Sequence, residues 1–442
     1  MSDIHKVQRE RREVRRKRRV RNQILAYVFL ILFLIGATVG GYFLAKDLQA
    51  QRQQQLEQSR ESQEKLDELL ASEESIAPTP EPTPEVIEPT PEEKFETMLD
   101  EIIAEIPLED KVAGLFLVTP EAITNVNTAV MAGDGTKKAL EKYAVGGLIY
   151  FKKNIQSEEQ IREMLTNTKA FAQYPLFLAV DEEGGKVARV ADAGIYEGVE
   201  SASAIGATGD TKNAYEAGVK IGSTLESLGF NVDFAPVADV ANVSGSVMKE
   251  RSYGSDAATV AGYVTAMMQG LEENGVTGCM KHFPGIGCTT DDTHNGLAFS
   301  DRTAEQFKAE ELTIFQAGID GGAQMIMVGH MSAPNLTGNN DPCIFSRELI
   351  TDILRGEMGY EGVIITDALN MGAISNYYGA DEAAIMALKA GCDMLLMPES
   401  FEKAYGGVLQ AVLNGTIAEA RIDDSLKRIY RIKYSDLMET ER

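Results

Sequence analysis

Eight short apolar runs, spaced along the last 350 or so residues and separated by helical stretches, constrain this chain more than any other feature. They are GLFLV at 114–118, GGLIY at 146–150, PLFLAV at 175–180, VDFAPV at 232–237, VTGCM at 276–280, QMIMV at 324–328, GVIIT at 362–366 and CDMLLM at 392–397. Near-continuous apolar runs of this length suit parallel strands buried on both faces. Amphipathic segments at 211–228, 257–274, 305–319 and 381–390 fall between them. Eight strands alternating with helices predict an α/β fold, a (β/α)8 TIM-type barrel over residues 94–442. A doubly wound open sheet is the alternative, disfavoured because no GxGxxG or GxxxxGK[ST] follows the first strand.

The first 93 residues read differently. Residues 1–22 form a basic tail with a local charge of about +7. An uncharged run follows, ILAYVFLILFLIGATVGGYFL at 24–44, and roughly 20 such residues suffice to cross a bilayer as a helix. The expectation is one transmembrane signal anchor at 23–45. The basic end would stay in the cytoplasm, giving a single-pass protein of the cell membrane whose body is extracellular. A cleaved signal peptide is the rival, with a poor cleavage site at Leu44-Ala45-Lys46-Asp47. Residues 46–76 read as a polar, helical stalk, and 77–93, APTPEPTPEVIEPTPEE, as a stiff extended linker.

The formal net charge is −25 despite that basic tail, so the body is strongly acidic and nucleic acid is excluded as its main partner. The four cysteines form no CxxC pattern, which argues against a thiolate metal site.

A barrel enzyme carries its chemistry just after the C-terminal ends of its strands. After the third run comes Asp181-Glu182-Glu183-Gly184-Gly185, after the fifth Lys281-His282-Phe283-Pro284-Gly285, after the sixth Gly329-His330-Met331, and after the seventh Asp367. Asp367 is placed to attack or to bind, or else caps a loop. In Asp292-Thr293-His294, extended geometry turns residues i and i+2 the same way, so Asp292 can orient His294 as an acid/base. Lys281, Arg189 and Arg251 are candidate substrate-binding cations, each equally able to form a structural ion pair. Zinc on His282, His294 and His330 is the rival chemistry. It lacks an HExxH-like spacing and has Lys281 beside it, so no metal and no cofactor is expected.

KHFPGIGCTTDDTH at 281–294 resembles the KHFPGHG-x4-D-[ST]-H signature of glycoside hydrolase family 3 β-N-acetylglucosaminidases. DEEGGKVAR at 181–189 resembles that family's D-x-E-G-G-R-V-x-R, RSYG at 251–254 its R-[SA]-[FY]-G, and VIITDAL at 363–369 its nucleophile strand. Ile286, Ala298 and Lys186 depart from the pattern, where the family often has His, Pro and Arg. The resemblance spans about 95–435 and implies a single-domain barrel. It implies Asp367 as nucleophile, His294 as acid/base oriented by Asp292, and Asp181, Arg189, Arg251, Lys281 and His282 as sugar-holding residues. The implied activity is retaining, exo-acting removal of terminal β-linked N-acetylglucosamine from peptidoglycan or muropeptides. Cell-wall glycan of alternating N-acetylglucosamine and N-acetylmuramic acid is the expected partner. The alternatives are a catalytically silent wall-glycan-binding protein, or a family 3 glycosidase or phosphorylase of other sugar preference.

Overall fold

The computed structural model describes residues 89–439, with the exception of 292–295. Eight parallel strands follow one another around a ring: β1 (Phe116–Val118), β2 (Gly147–Ile149), β3 (Phe177–Val180), β4 (Val232–Asp233), β5 (Thr277–Phe283), β6 (Met325–Val328), β7 (Val363–Thr366) and β8 (Leu395–Leu396). From β1 to β7 each strand pairs with the next in chain order, and β8 pairs with β1 through Phe116↔Leu395 and Leu117↔Leu396. Every residue of every ring strand is buried. That explains the continuous apolar runs: one face fills the barrel interior and the other is covered by helices.

The expected closed barrel preceded by a transmembrane helix is corrected on both counts. The ring is only nearly closed. Between β7 and β8 the ladder shrinks to one bridge, Ile365↔Met394, and there the Leu396 N–H donates to the Thr366 hydroxyl at 3.0 Å rather than to a backbone carbonyl. No helix among the described residues is long and apolar enough to cross a membrane. The anchor read at 23–45, with its basic tail and stalk, lies outside the described residues. So does most of the Pro-rich linker.

Local chemistry sets the element ends. The first described helix, Pro91–Ala104, starts inside the stretch read as linker. Thr90 accepts from the Glu93 N–H and Glu93 accepts from the Thr90 N–H, which makes a capping box. Strand β4 stops after two residues because Pro236 supplies no amide N–H to the ladder, although the Cys279 N–H still reaches Ala235 O at 2.7 Å. The helix expected at 305–319 is two helices, Ala304–Ala309 and Glu311–Asp320. It breaks at Glu310, whose carboxylate lies 2.9 Å from Arg302 Nη1. Strand β5 runs on to Phe283, so Lys281 and His282 sit within it rather than after it, at a point where the register with β6 shifts.

Candidate active site

A cavity of about 280 Å³ opens at the C-terminal ends of the strands. Asp181, Glu183, Arg189, Arg251, Lys281, His282 and Asp367 all line it, with Phe151, Asn370 and Met397. Six of the eight residues singled out from the sequence therefore face one space. The other two, Asp292 and His294, lie outside the described residues.

Four of these side chains form one ion-pair network. Lys281 Nζ lies 2.8 Å from Asp181 Oδ1 and 2.6 Å from Glu183 Oε1. Arg251 clamps Glu183 with two bonds, Nε to Oε2 at 2.8 Å and Nη2 to Oε1 at 2.7 Å. Burial alone would raise the Glu183 pKa, but the Lys281 and Arg251 charges outweigh it and hold the carboxyl at about 2. Burial likewise works against charge on Lys281, and the Asp181 and Glu183 carboxylates more than offset it. The network thus fixes a protonated lysine in the cavity wall.

The hairpin after β3 sorts its two glutamates. Glu182–Gly184 pairs antiparallel with Val187–Ala188, through a turn in which Gly184 and Gly185 take φ of 90° and 57°, a region side chains disfavour. Successive residues point to opposite sides. Glu182 turns away from the cavity and accepts from the Val190 N–H at 2.7 Å, the Ala191 N–H at 3.1 Å and the Tyr196 hydroxyl at 2.9 Å. Glu183 turns in. Arg189 stands at the rim with its guanidinium 5.9 Å from the Phe151 ring centre, and its Nε, though buried, has no hydrogen-bond partner.

Asp367 follows β7 directly, and its N–H donates to Val328 O at 2.9 Å. Its Oδ1 accepts from the Ala368 N–H at 2.7 Å. Burial pushes its pKa up, but His330, His282, the Ala368 N–H and Lys281 together hold it below the usual aspartate range. The result is an ionised carboxylate on the cavity wall.

Two supporting residues were missed in the sequence. Asp239, wholly buried, places Oδ2 2.8 Å from His282 Nδ1 and accepts from the Ile286 N–H on Oδ1 at 2.6 Å. Asp239 closes the stretch that follows the fourth apolar run, so the strand-end rule would have found it had it been applied there. His330 was noted at its strand end but given no role beyond zinc. Its Nε2–H donates to Ala368 O at 2.8 Å, which braces the residue next to Asp367. No group of three or more His, Cys, Asp or Glu able to hold a metal occurs among the described residues. All four cysteines are buried and free.

The glycosyl hydrolase family 3 N-terminal domain profile matches residues 107–432. A beta-hexosaminidase of Xylella fastidiosa (strain M23) is 34% identical over 277 residues, covering 61% of this chain and 81% of its own length. Beta-hexosaminidase A of Pseudoalteromonas piscicida is 33% identical over 326 residues, covering 66% of this chain, which in turn spans only 54% of that relative. Among solved structures, a family 3 beta-N-acetylglucosaminidase from Paenibacillus sp. superposes with a TM-score of 0.70 at 34% identity, over 76% of this chain and 63% of that one.

Proposed function

The chain belongs to glycoside hydrolase family 3, and from that premise we propose that it is a retaining β-N-acetylhexosaminidase that removes terminal β-linked N-acetylglucosamine. The observation that carries the reading is Asp367: an ionised carboxylate at a barrel strand end, in the wall of a cavity that also presents Lys281, His282, Arg189 and Arg251. The hexosaminidase names of relatives at 33–34% identity support the choice of sugar.

In this reading Asp367 attacks the anomeric carbon as the glycosidic C–O bond breaks. His294, oriented by Asp292, gives its proton to the leaving oxygen. Water then attacks the glycosyl-enzyme and gives a proton back to His294, and the Asp367 carboxylate leaves. Lys281 and Arg189 are cationic donors for sugar hydroxyls and the acetamide oxygen. Fragments of cell-wall glycan, with N-acetylmuramic acid as the leaving sugar, are the proposed substrate class.

The test compares 4-nitrophenyl N-acetyl-β-glucosaminide with the matching β-glucoside, on the wild type, Asp367→Ala and His294→Ala. Release from the N-acetyl sugar alone, lost in both variants, is the expected result. Release from the glucoside instead discards the sugar assignment, and near-normal turnover in Asp367→Ala discards the nucleophile.

A further inference from the structure

A second cavity, of about 420 Å³, lies at the other end of the barrel, where the chain enters β7 and β8. Five cations line it, Arg347, Arg355, Lys389, Arg421 and Arg428, against a single lining carboxylate, Asp424. One further carboxylate, the wholly buried Asp393, lies behind them. It is shared by Arg355, by Arg428 Nη1 at 3.4 Å and by Arg421 Nη1 at 3.6 Å. One charge does not neutralise three guanidiniums. Burial, reinforced by the neighbouring Arg428 and Arg421 charges, lowers the Arg355 pKa even with Asp393 beside it. Arg347 and Lys389 are exposed at the mouth and pair with no carboxylate among the described residues. Around the cavity, positive charge is in surplus.

The backbone adds to it. Thr416, Ile417 and Ala418 complete the wall and lead into the fifteen-residue helix Glu419–Lys433, whose N-cap residue, Ala418, offers no side-chain cap. The helix dipole therefore adds partial positive charge to the same space. The volume falls within the roughly 300–1,000 Å³ of small-molecule sites. In a chain of net charge −25, so cationic a cavity runs against the overall charge.

We propose that this cavity binds a phosphate-type oxyanion, as free phosphate or as a phosphodiester group of a polymer. Guanidinium forks meet phosphate oxygens in pairs, and lysine supplies a point charge at the mouth. The site is at the opposite end of the strands from Asp367 and does not depend on the hydrolase reading.

Calorimetric titration of the full chain with inorganic phosphate, and separately with a glycerol phosphate oligomer, tests the proposal. The comparison is with a variant carrying Arg347→Gln, Lys389→Gln and Arg428→Gln. Saturable binding that the variant weakens by about tenfold or more is expected, because three charge-assisted contacts are lost. Tighter binding of the oligomer assigns the site to a polymer, and equal binding assigns it to free phosphate. No saturable binding of either probe, or equal affinity in the variant, overturns the proposal. An unchanged rate of 4-nitrophenyl N-acetyl-β-glucosaminide hydrolysis and an unchanged circular dichroism spectrum would show that the variant is folded.

Discussion

Asp239 Oδ2 lies 2.8 Å from His282 Nδ1, and this buried pair fixes which imidazole nitrogen is left for the cavity. A carboxylate on Nδ1 holds the proton there and leaves Nε2 as the free nitrogen. The other Asp239 oxygen takes the Ile286 N–H, so the same side chain also anchors the loop that leaves β5. Asp239→Asn keeps the shape but puts an amide donor where an acceptor is needed. A loss of about ten- to a hundredfold in kcat/KM is expected, the equivalent of one charge-assisted hydrogen bond of roughly 1.5–3 kcal/mol. Steady-state kinetics alongside a melting curve check it. Unchanged kcat/KM would show that His282 needs no such partner.

Glu183 makes stability depend on acid. Its carboxyl is held at about 2, well below the 4.5 of a free glutamate, so the folded state releases this proton more readily than the unfolded chain. The stabilisation is complete above about pH 4.5 and is lost as pH falls towards 2. Glu183→Gln should cost about 3–5 kcal/mol near neutral pH, because it leaves Lys281 and Arg251 in the wall without their shared partner. Below pH 4.5 the gap between variant and wild type should narrow in a pH series of melting temperatures. A constant gap would contradict the ion-pair account.

A double displacement leaves a stereochemical signature. In Asp367→Ala the face of the sugar opposite the leaving group is vacated, and a small anion can enter there. Added azide should restore release of nitrophenol from the activated substrate and give the α-glycosyl azide. Proton NMR of the product reads the anomeric configuration, and a β-azide would contradict the assignment.

Asp393→Asn removes the one carboxylate shared by Arg355, Arg421 and Arg428. A destabilisation of about 3–5 kcal/mol is expected from breaking so buried a network. Chemical denaturation measures it, and a change below about 0.5 kcal/mol, the level of an ordinary surface substitution, would show that the arginines are balanced by other groups.

Much of this architecture is legible in the residues themselves. All eight apolar runs contain ring strands, because strands buried on two faces cannot alternate polar with apolar. Strand lengths were less legible: VDFAPV yields two ladder residues, since Pro236 interrupts the hydrogen bonding without interrupting the apolar pattern. The site was legible in position but not in partnership. Glu182 and Glu183 are identical neighbours in sequence, and only the pleat of the hairpin separates a loop brace from a cavity carboxylate. Asp239 acts on His282 across 43 positions of chain, a pairing that no local spacing encodes.

The thin junction between β7 and β8 gives the barrel a direction in which to breathe. On one side β7 is zipped to β6 over four successive residue pairs, and on the other it meets the segment entering β8 at a single bridge, where the Met394 N–H donates to Ile364 O at 3.1 Å, the Thr366 N–H to Met394 O at 3.1 Å and the Leu396 N–H to the Thr366 hydroxyl. Amide deuteration should enter the wall at Met394 and Leu396 before it reaches Ile326 or Met327. Opening there has to break the bonds from the Leu369 N–H to Leu396 O and from the Asn370 N–H to Met397 O, at 2.9 and 3.0 Å, so the segment that carries Asp367 is the latch of that seam.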